Sequence, residues 1–217
     1  MINDYFDRVV CINLDRRPDR WAQCVELFTK HDLTVERVAA VDGRDLADTP
    51  YLKRGMLGCV MSHRNVCEQM LASSSKRMLV LEDDVDFVPD LQEVFACAVS
   101  SGDIPLTWDL LYLGGHHLQA PQSINARIAR MLKTTTSSQY GITRDMAARL
   151  LKGLKVLNEP LDITMAQLQS VSAAFTFHPP LAWQRPGLSD IEGRYVDYRD
   201  RMLKEPCRKN PLLGFFI

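Results

Sequence analysis

The sequence has no excess of charge of either sign. It contains 26 lysine and arginine residues and 27 aspartate and glutamate residues, so the formal net charge at pH 7 is −1. Chains that bind nucleic acids or anionic lipids by general electrostatic attraction carry a clear positive excess. The balance argues against such binding, and we expect no nucleic-acid partner.

Long hydrophobic runs are also missing. No apolar run approaches the roughly 20 residues that a membrane-spanning helix needs. The first seven residues carry two aspartates where a secretion signal would carry basic residues. We therefore expect a cytoplasmic protein. Residues 212–217 form an apolar tail that we expect to fold back onto the domain, and peripheral contact with a membrane or a partner is the alternative.

Paired cysteines are absent as well. The chain has no C-x-x-C motif, which many zinc sites and redox sites use. The six cysteines are scattered along the sequence: Cys11, Cys24, Cys59, Cys67, Cys97 and Cys207. We expect reduced thiols in a cytoplasmic protein and neither a disulfide framework nor a zinc site.

The apolar residues predict one α/β domain over residues 1–217, with a helical extension and tail from about residue 190. Alternating strands and helices predict a three-layer αβα sandwich around a mostly parallel sheet, with ligands at the carboxyl ends of its strands. Residues 116–136 read as a polar loop with a short helix near 124–132. The predicted strands include residues 9–14, 35–43, 78–81, 108–115, 140–143 and 175–184. The predicted helices include residues 56–72, 91–101, 146–154 and 162–171.

Three arginines follow the first predicted strand. Arg16, Arg17 and Arg20 lie between this strand and a helix that begins near Pro18. A basic loop beside a helix N-terminus is a common anion-binding arrangement. The alternative is that the arginines only solvate a turn.

Acidic residues follow a central predicted strand. The apolar residues 78–81 run directly into Glu82, Asp83 and Asp84, and Asp86 comes two positions later. If the extended backbone continues, alternate carboxylates point to one side of the strand. Carboxylates so close together repel, and oxygen donors of this kind suit Mg²⁺ or Mn²⁺. The alternative is a solvated acidic turn.

Three stretches in this order resemble glycosyltransferase family 25, the group that holds bacterial lipopolysaccharide sugar transferases and collagen galactosyltransferases. They are residues 10–20 (VCINLDRRPDR), 58–64 (GCVMSHR) and 80–85 (VLEDDV). Weaker similarity at residues 108–115, 140–151, 160–162 and 180–191 extends the resemblance over nearly the whole chain.

This resemblance implies a GT-A-like fold and transfer of a sugar from a UDP-sugar, commonly UDP-galactose, to a hydroxyl of a glycan or glycoconjugate. It also implies inversion at the anomeric carbon and a divalent cation, Mn²⁺ or Mg²⁺. Lipopolysaccharide biosynthesis is one context in which the family works. The implied metal ligands are Glu82 and Asp84. The implied donor-binding residues are Asn13, Arg17, Arg20, Ser62, His63 and Asp83. By itself, a histidine such as His63 on the inner face of a helix is more often a hydrogen-bonded core residue than a ligand.

One position departs from the family pattern. Many relatives carry a T-H-A-Y-like element, whereas this chain has Ser138 where the histidine would fall. Either His178 supplies the missing metal or acceptor role, or catalysis is impaired.

An inverting transfer also needs a carboxylate that accepts the proton of the acceptor hydroxyl. The candidates are Asp162 and Asp190. We favour Asp190, because Asp162 has a competing explanation as the N-cap of a predicted helix.

Two other classes remain open. A magnesium-dependent phosphoryl or nucleotidyl transfer enzyme would also place carboxylates after a central strand, but no G-x-x-x-x-G-K-[ST] loop is present. A non-catalytic or weakly active sugar-nucleotide-binding protein would keep the arginines and lose catalytic groups, and Ser138 makes this class worth testing.

Overall fold

The computed structural model describes residues 1–203 and contains a central β-sheet between helices. The strands are β1 (Arg8–Asn13), β2 (Glu36–Ala39), β3 (Arg77–Glu82), β4 (Val85–Phe87), β5 (Leu110–Tyr112), β6 (His116–Gln119), β7 (Gln122–Ser123), β8 (Ile128–Arg130), β9 (Lys133–Thr135), β10 (Gln139–Thr143), β11 (Ala174–Phe177), β12 (Ala182–Gln184), β13 (Gly187–Leu188) and β14 (Tyr195–Val196). The helices are α1 (Ile2–Tyr5), α2 (Pro18–Lys30), α3 (Arg54–Ala72), α4 (Leu91–Ser100), α5 (Arg144–Gly153), α6 (Leu161–Gln169) and α7 (Arg199–Leu203).

The large sheet has eight strands in the order β2-β1-β3-β10-β5-β11-β8-β7. Strand β1 pairs parallel with β2 and β3, and β5 pairs parallel with β11. Strands β10 and β8 run antiparallel to their neighbours, so six of the eight strands share one direction. The predicted mostly parallel sheet is confirmed.

Alternating side chains of the buried strands pack against helices on both faces of the sheet. Val9 and Cys11 of β1 point into the core that α2 and α4 cover. Val10 and Ile12 point into the opposite core, which α3, α5 and α6 cover. Period-two alternation on a strand covered on both faces produces these two cores. The predicted three-layer αβα sandwich is therefore confirmed.

The prediction for residues 116–136 was wrong. This segment forms the four short strands β6, β7, β8 and β9 and no helix. Strand β8 pairs antiparallel with β11, where Ala129 lies opposite Thr176, and Ile128 and Ala129 are fully buried. Pairing with a strand more than 40 positions away determines this conformation, and local periodicity does not report such a partner.

The backbone also departs from the prediction at the acidic residues. Strand β3 ends at Glu82, the chain turns at Asp83 and Asp84, and β4 then pairs with β12 in a separate two-stranded sheet. Asp86 lies on β4, where its Oδ1 atom accepts a hydrogen bond from the Phe87 amide at 2.9 Å. The expectation of continuous extended backbone through Asp86 was therefore wrong.

The C-terminal part of the described chain contains β14 and the short helix α7. The predicted tail at residues 212–217, and Cys207, lie outside the described residues. Among residues 1–203, no helix combines the length and the apolar character that crossing a membrane requires.

Candidate active site

A cleft of about 540 Å³ lies at the carboxyl ends of β1, β2 and β3. Its walls come from a loop with Arg16 and Arg20, the turn after β2, one face of α3, residues 82–84 and residues 188–193. We call it the main cleft, residues 15–20 the arginine loop, and residues 82–84 the carboxylate turn. The arginine loop and the carboxylate turn are in direct contact, because they follow the parallel neighbouring strands β1 and β3.

Helix α3 can approach the main cleft closely because residue 58 is glycine. A Cβ atom at Gly58 would lie only 2.8 Å from the carbonyl oxygen of Val41. Ser62, one turn later, accepts a hydrogen bond from the Val41 amide at 2.8 Å and donates one to the Gly58 carbonyl at 2.7 Å. Ser62 therefore attaches α3 to the end of β2, and the next residue, His63, lines the cleft.

The arginine loop is held by ion pairs with two acidic residues from distant segments. Arg16 contacts Asp42 at 2.7 Å and Asp190 at 2.5 Å. Arg17 contacts Asp190 at 2.6 Å and Asp19 at 2.9 Å. Partial burial opposes ionisation of Asp190, but the hydrogen bonds from both guanidinium groups outweigh it and lower its pKa. The solvated-turn alternative does not describe these arginines, because each is fixed by carboxylates.

Asp83 is fully engaged within the protein. Its Oδ1 atom pairs with Arg20 at 2.7 Å, and its Oδ2 atom accepts a hydrogen bond from Asn13 at 2.7 Å. The Oδ1 atom of the buried Asn13 accepts in turn from Arg37 at 2.8 Å. Asp83 and Asn13 therefore orient the carboxylate turn. Of the six predicted donor-binding residues, Arg20, Ser62, His63 and Asp83 line the main cleft, whereas Asn13 and Arg17 do not.

Asp84, the next residue, has a carboxylate that is not fully hydrogen-bonded within the protein. Its Oδ1 atom is buried and has no hydrogen-bond partner. The closest cation is Arg20, which lies 3.8 Å from Oδ2. Burial and the negative charge of Glu82 raise the pKa of Asp84 to about 7. An orphaned carboxylate oxygen beside a second carboxylate fits a hard divalent cation such as Mg²⁺ or Mn²⁺.

Glu82 lies at the base of the cleft in a small hydrogen-bonded group. Its Oε1 atom lies 3.2 Å from Nε2 of His63 and accepts a hydrogen bond from Ser137 at 3.0 Å. The Nδ1 atom of His63 lies 2.8 Å from the hydroxyl of Tyr140, and His63 is buried. Burial opposes ionisation of Glu82, but the hydrogen bonds from His63 and Ser137 keep its pKa below the ordinary value.

Cys59 belongs to the same group, and the analysis of motifs missed it. Cys59 and His63 are one turn apart on α3, and their ligand atoms lie with that of Glu82 within 4.8 Å of one another. In residues 1–203 no other group of three or more such side chains is as close. The available signal was the i, i+4 spacing of cysteine and histidine on one helix face, which a search for C-x-x-C does not detect.

A side pocket of about 330 Å³ adjoins the main cleft and shares Cys59 and Glu82 with it. Asp162 lies in its wall together with Thr136 and Ser137. Asp162 is the second residue of α6, whose N-cap is Pro160, so its proposed N-cap role was wrong. Burial raises the pKa of Asp162, although its carboxylate accepts a hydrogen bond from the Ile163 amide at 2.9 Å.

The two residues connected with the departure from the family pattern lie outside both cavities. Ser138 is buried, and its hydroxyl donates a hydrogen bond to the Gln139 side chain. Its carbonyl oxygen accepts a hydrogen bond from the Glu82 amide at 2.8 Å. The amide of His178 donates to the Arg127 carbonyl at 2.8 Å, and its ring packs 6.3 Å from that of His117. The structure does not bring His178 together with Glu82 and Asp84.

Comparison with known proteins gives a consistent result. Residues 6–139 match the family described as glycosyltransferase family 25 (LPS biosynthesis protein). A "Glycosyltransferase 25 family member" of Aedes aegypti is 30% identical in an alignment that covers 81% of this chain and 32% of that protein. Human "Procollagen galactosyltransferase 2" is 28% identical, with 61% of this chain and 25% of that protein covered.

A third relative carries a different description. Mouse "Inactive glycosyltransferase 25 family member 3" is 30% identical, with 55% of this chain and 24% of that protein covered. The chain thus spans between about a quarter and a third of the length of these curated relatives.

Proposed function

The chain belongs to glycosyltransferase family 25, and on this premise we propose that it is a metal-dependent, inverting glycosyltransferase. The donor is a UDP-sugar, UDP-galactose in the simplest case, and the acceptor is a hydroxyl group of a glycan or glycoconjugate. The human relative is named a galactosyltransferase. The chain covers only part of that protein, so galactose as the transferred sugar is part of the proposal.

The orphaned Oδ1 atom of Asp84, beside Glu82 in the main cleft, is the observation that carries this proposal. Glu82 and Asp84 would hold Mn²⁺ or Mg²⁺, while Asp83 stays paired with Arg20. A cation bound there neutralises charge that develops on the leaving diphosphate. Besides burial, repulsion from Glu82 raises the pKa of Asp84, and a bound cation would relieve that repulsion.

The arginine loop would bind the diphosphate. Arg16 and Arg20 line the main cleft and already have oriented guanidinium groups. A phosphate oxygen would replace one carboxylate contact of Arg16 and would bind Arg20 beside its retained ion pair with Asp83, so the donor enters a site whose cations are pre-positioned. For Arg16 the contact exchanged is the one with Asp190, because Asp42 keeps the guanidinium in place.

Asp162 fits the role of general base better than Asp190. A general base needs a free lone pair that faces the acceptor, and its pKa should be closer to the working pH than that of a free carboxylate. Asp190 is ion-paired to two arginines and its pKa is lowered, whereas Asp162 faces the side pocket and its pKa is raised.

In the proposed step the acceptor occupies the side pocket. The proton of its hydroxyl moves to the Asp162 carboxylate as the oxygen forms a bond to the anomeric carbon. The bond from that carbon to the diphosphate breaks on the opposite face, which inverts the configuration. The negative charge leaves on UDP, beside Arg16 and Arg20.

A second candidate is a member of the family that binds the sugar nucleotide and does not transfer the sugar. Ser138 stands at the position of the expected histidine, and neither cavity receives His178. The name of the mouse relative, an inactive member of the family, supports this candidate.

Donor hydrolysis separates the two candidates without knowledge of the acceptor. Purified protein is incubated with UDP-galactose, UDP-glucose and UDP-N-acetylglucosamine in Mn²⁺, and release of UDP is followed by phosphorus NMR. The transferase proposal predicts slow UDP release from UDP-galactose and its loss in Asp84→Asn. Binding of UDP-sugars without any UDP release from the panel supports the non-catalytic candidate.

A further inference from the structure

The group formed by Cys59, His63 and Glu82 has the chemistry of a second type of metal site. Its donors are one sulfur, one imidazole nitrogen and one carboxylate oxygen, all within 4.8 Å of one another. Mg²⁺ and Mn²⁺ prefer oxygen donors, whereas sulfur and imidazole favour Zn²⁺, Co²⁺ and Cd²⁺. The mixed donor set therefore discriminates against the cation proposed for Glu82 and Asp84.

The distances suit tetrahedral coordination. Two ligands about 2.0 Å from a tetrahedral zinc ion are roughly 3.3 Å apart. The observed separation of His63 Nε2 and Glu82 Oε1 is 3.2 Å. Cys59 lies one turn before His63 on α3, and its sulfur lies within 4.8 Å of the other two ligand atoms, so it can supply the third ligand.

The surroundings orient two of the ligands as the outer shell of a metal site does. The His63 ring is fixed by the contact of its Nδ1 atom with the Tyr140 hydroxyl at 2.8 Å. In the hydrogen bond with Glu82 the Nε2 atom carries a proton; a bound cation would replace that proton, and Nδ1 would then donate to Tyr140. Ser137 donates a hydrogen bond to the Glu82 carboxylate at 3.0 Å.

We propose that Cys59, His63 and Glu82 form a binding site for a thiophilic divalent cation such as Zn²⁺. Cys59 and Glu82 line both cavities, so the fourth coordination position faces the open space between them. Cation binding at this site depends on these three side chains alone and requires no sugar-transfer activity.

The site has a consequence that rests on the proposed function. Glu82 belongs to both metal sites, so a zinc ion that takes its carboxylate removes a ligand from the donor cation. Zn²⁺ therefore inhibits transfer in competition with Mn²⁺. The side pocket is obstructed at the same time, because Cys59 and Glu82 also form part of its wall.

Cobalt titration tests the site directly. Tag-free protein is stripped of metal with a chelator, titrated with Co²⁺, and followed by absorption spectroscopy. We expect one equivalent of Co²⁺ to produce a sulfur-to-cobalt charge-transfer band and the intense visible bands of tetrahedral cobalt. Cys59→Ser should abolish the charge-transfer band. Cys67→Ser is the matched control, because Cys67 lies on the same helix but is buried in the core.

Each outcome of the titration decides the proposal. No charge-transfer band in the parent protein, or a band that persists in Cys59→Ser, overturns it. Circular dichroism of each variant establishes that the fold is retained. His63→Ala in its folded form should weaken Co²⁺ binding at least tenfold, and an unchanged affinity would also contradict the site.

The inhibitory consequence has its own assay. At fixed Mn²⁺, the Zn²⁺ concentration that halves UDP release should rise at least tenfold in Cys59→Ser and stay unchanged in Cys67→Ser. Equal Zn²⁺ sensitivity in all three proteins would contradict inhibition through Cys59. If the cobalt bands appear but no UDP release is found in any condition, the metal site stands and the proposed transferase function fails.

Discussion

Two parts of the main cleft differ in how their charged side chains are paired. We call the arginine loop with Asp190 the arginine wall, and the carboxylate turn the carboxylate wall. On the arginine wall, Arg16 and Arg17 share Asp190, and hydrogen bonds and ion pairs lower the pKa of that carboxylate. On the carboxylate wall, Asp84 has a buried oxygen without a partner and a pKa raised to about 7. The charges of the first wall are paired within the protein, whereas the Oδ1 atom of Asp84 on the second is not.

This difference in pairing indicates which wall binds the donor and which wall takes part in the chemistry. Groups that are already paired are rigid and can orient a ligand at little cost in ordering. Groups whose charges are uncompensated gain most from a bound cation or a transferred proton, and perturbed carboxylates of this kind are common in active sites. We therefore assign binding of the diphosphate to the arginine wall and the chemistry to Glu82, Asp84 and the neighbouring Asp162.

The largest expected effect is that of Asp84→Asn. The change keeps the shape of the side chain but removes a charged metal ligand, so we expect UDP release in Mn²⁺ to fall about 10³-fold. The melting temperature should not fall, because the variant removes a carboxylate whose ionisation the fold opposes. Turnover equal to that of the parent protein would show that the carboxylate wall does not hold the cation.

Asp162→Asn and Asp190→Asn form a matched pair, because Asp162 lies in the side pocket and Asp190 pairs with the arginine loop. Asp162→Asn should lower sugar transfer by about 10²–10⁴-fold, because it removes the general base, and should leave UDP binding intact. Asp190→Asn should lower the free energy of unfolding by about 1–3 kcal/mol, because it weakens the charged acceptor shared by Arg16 and Arg17.

Transfer rates with saturating donor, together with urea unfolding, measure both effects. A stable but inactive Asp190→Asn, together with an active Asp162→Asn, would restore Asp190 as the base. Two active variants would place the base in another residue.

Arg16→Ala and Arg17→Ala test the arginine wall at neighbouring positions. Arg16 lines the main cleft and Arg17 does not. A charge-assisted contact to phosphate is worth about 1.5–3 kcal/mol, so Arg16→Ala should weaken UDP binding roughly 10- to 100-fold. Arg17→Ala should change UDP affinity less than threefold and act mainly on stability. Calorimetry that finds the larger loss in Arg17→Ala would reverse the assignment.

The smallest expected effect is a dependence of stability on pH. Partial burial opposes ionisation of Asp190, yet its hydrogen bonds with arginines hold its folded pKa below that of the unfolded chain. Its contribution is therefore complete above about pH 4 and is lost as the pH falls through the folded pKa. Between pH 5 and pH 3 the free energy of unfolding should fall more in the parent protein than in Asp190→Asn. Parallel pH profiles in urea unfolding would contradict this contribution.

Local patterns were sufficient to predict the strands that build the cleft. The apolar residues before Asn13 and Glu82 predicted β1 and β3, and the parallel order then brought the arginine loop to the carboxylate turn. The contacts between side chains in the site could not be predicted from local patterns. Asp190 pairs with Arg16 across 174 positions, and no periodicity reports that contact.

The errors have the same physical origin. Asp162 was interpreted as a helix cap because it lies at the start of a predicted helix. The side pocket that it faces is completed by Thr136 and Ser137, which are distant in the sequence. Cys59 was missed because it meets Glu82 only after α3 packs against the sheet. Side-chain environments that arise from tertiary packing determine charge and reactivity, and sequence spacing within one segment does not encode them.

The central claim is that a cation held by Glu82 and Asp84 links the nucleotide to the cleft. Calorimetric titration of UDP into the metal-free protein, with and without Mn²⁺, tests it most directly, with Asp84→Asn as the comparison. We expect Mn²⁺ to tighten UDP binding at least tenfold in the parent protein and to have no effect in Asp84→Asn. Equal UDP affinity in Mn²⁺ and in excess EDTA, or the same gain from Mn²⁺ in both proteins, would contradict it.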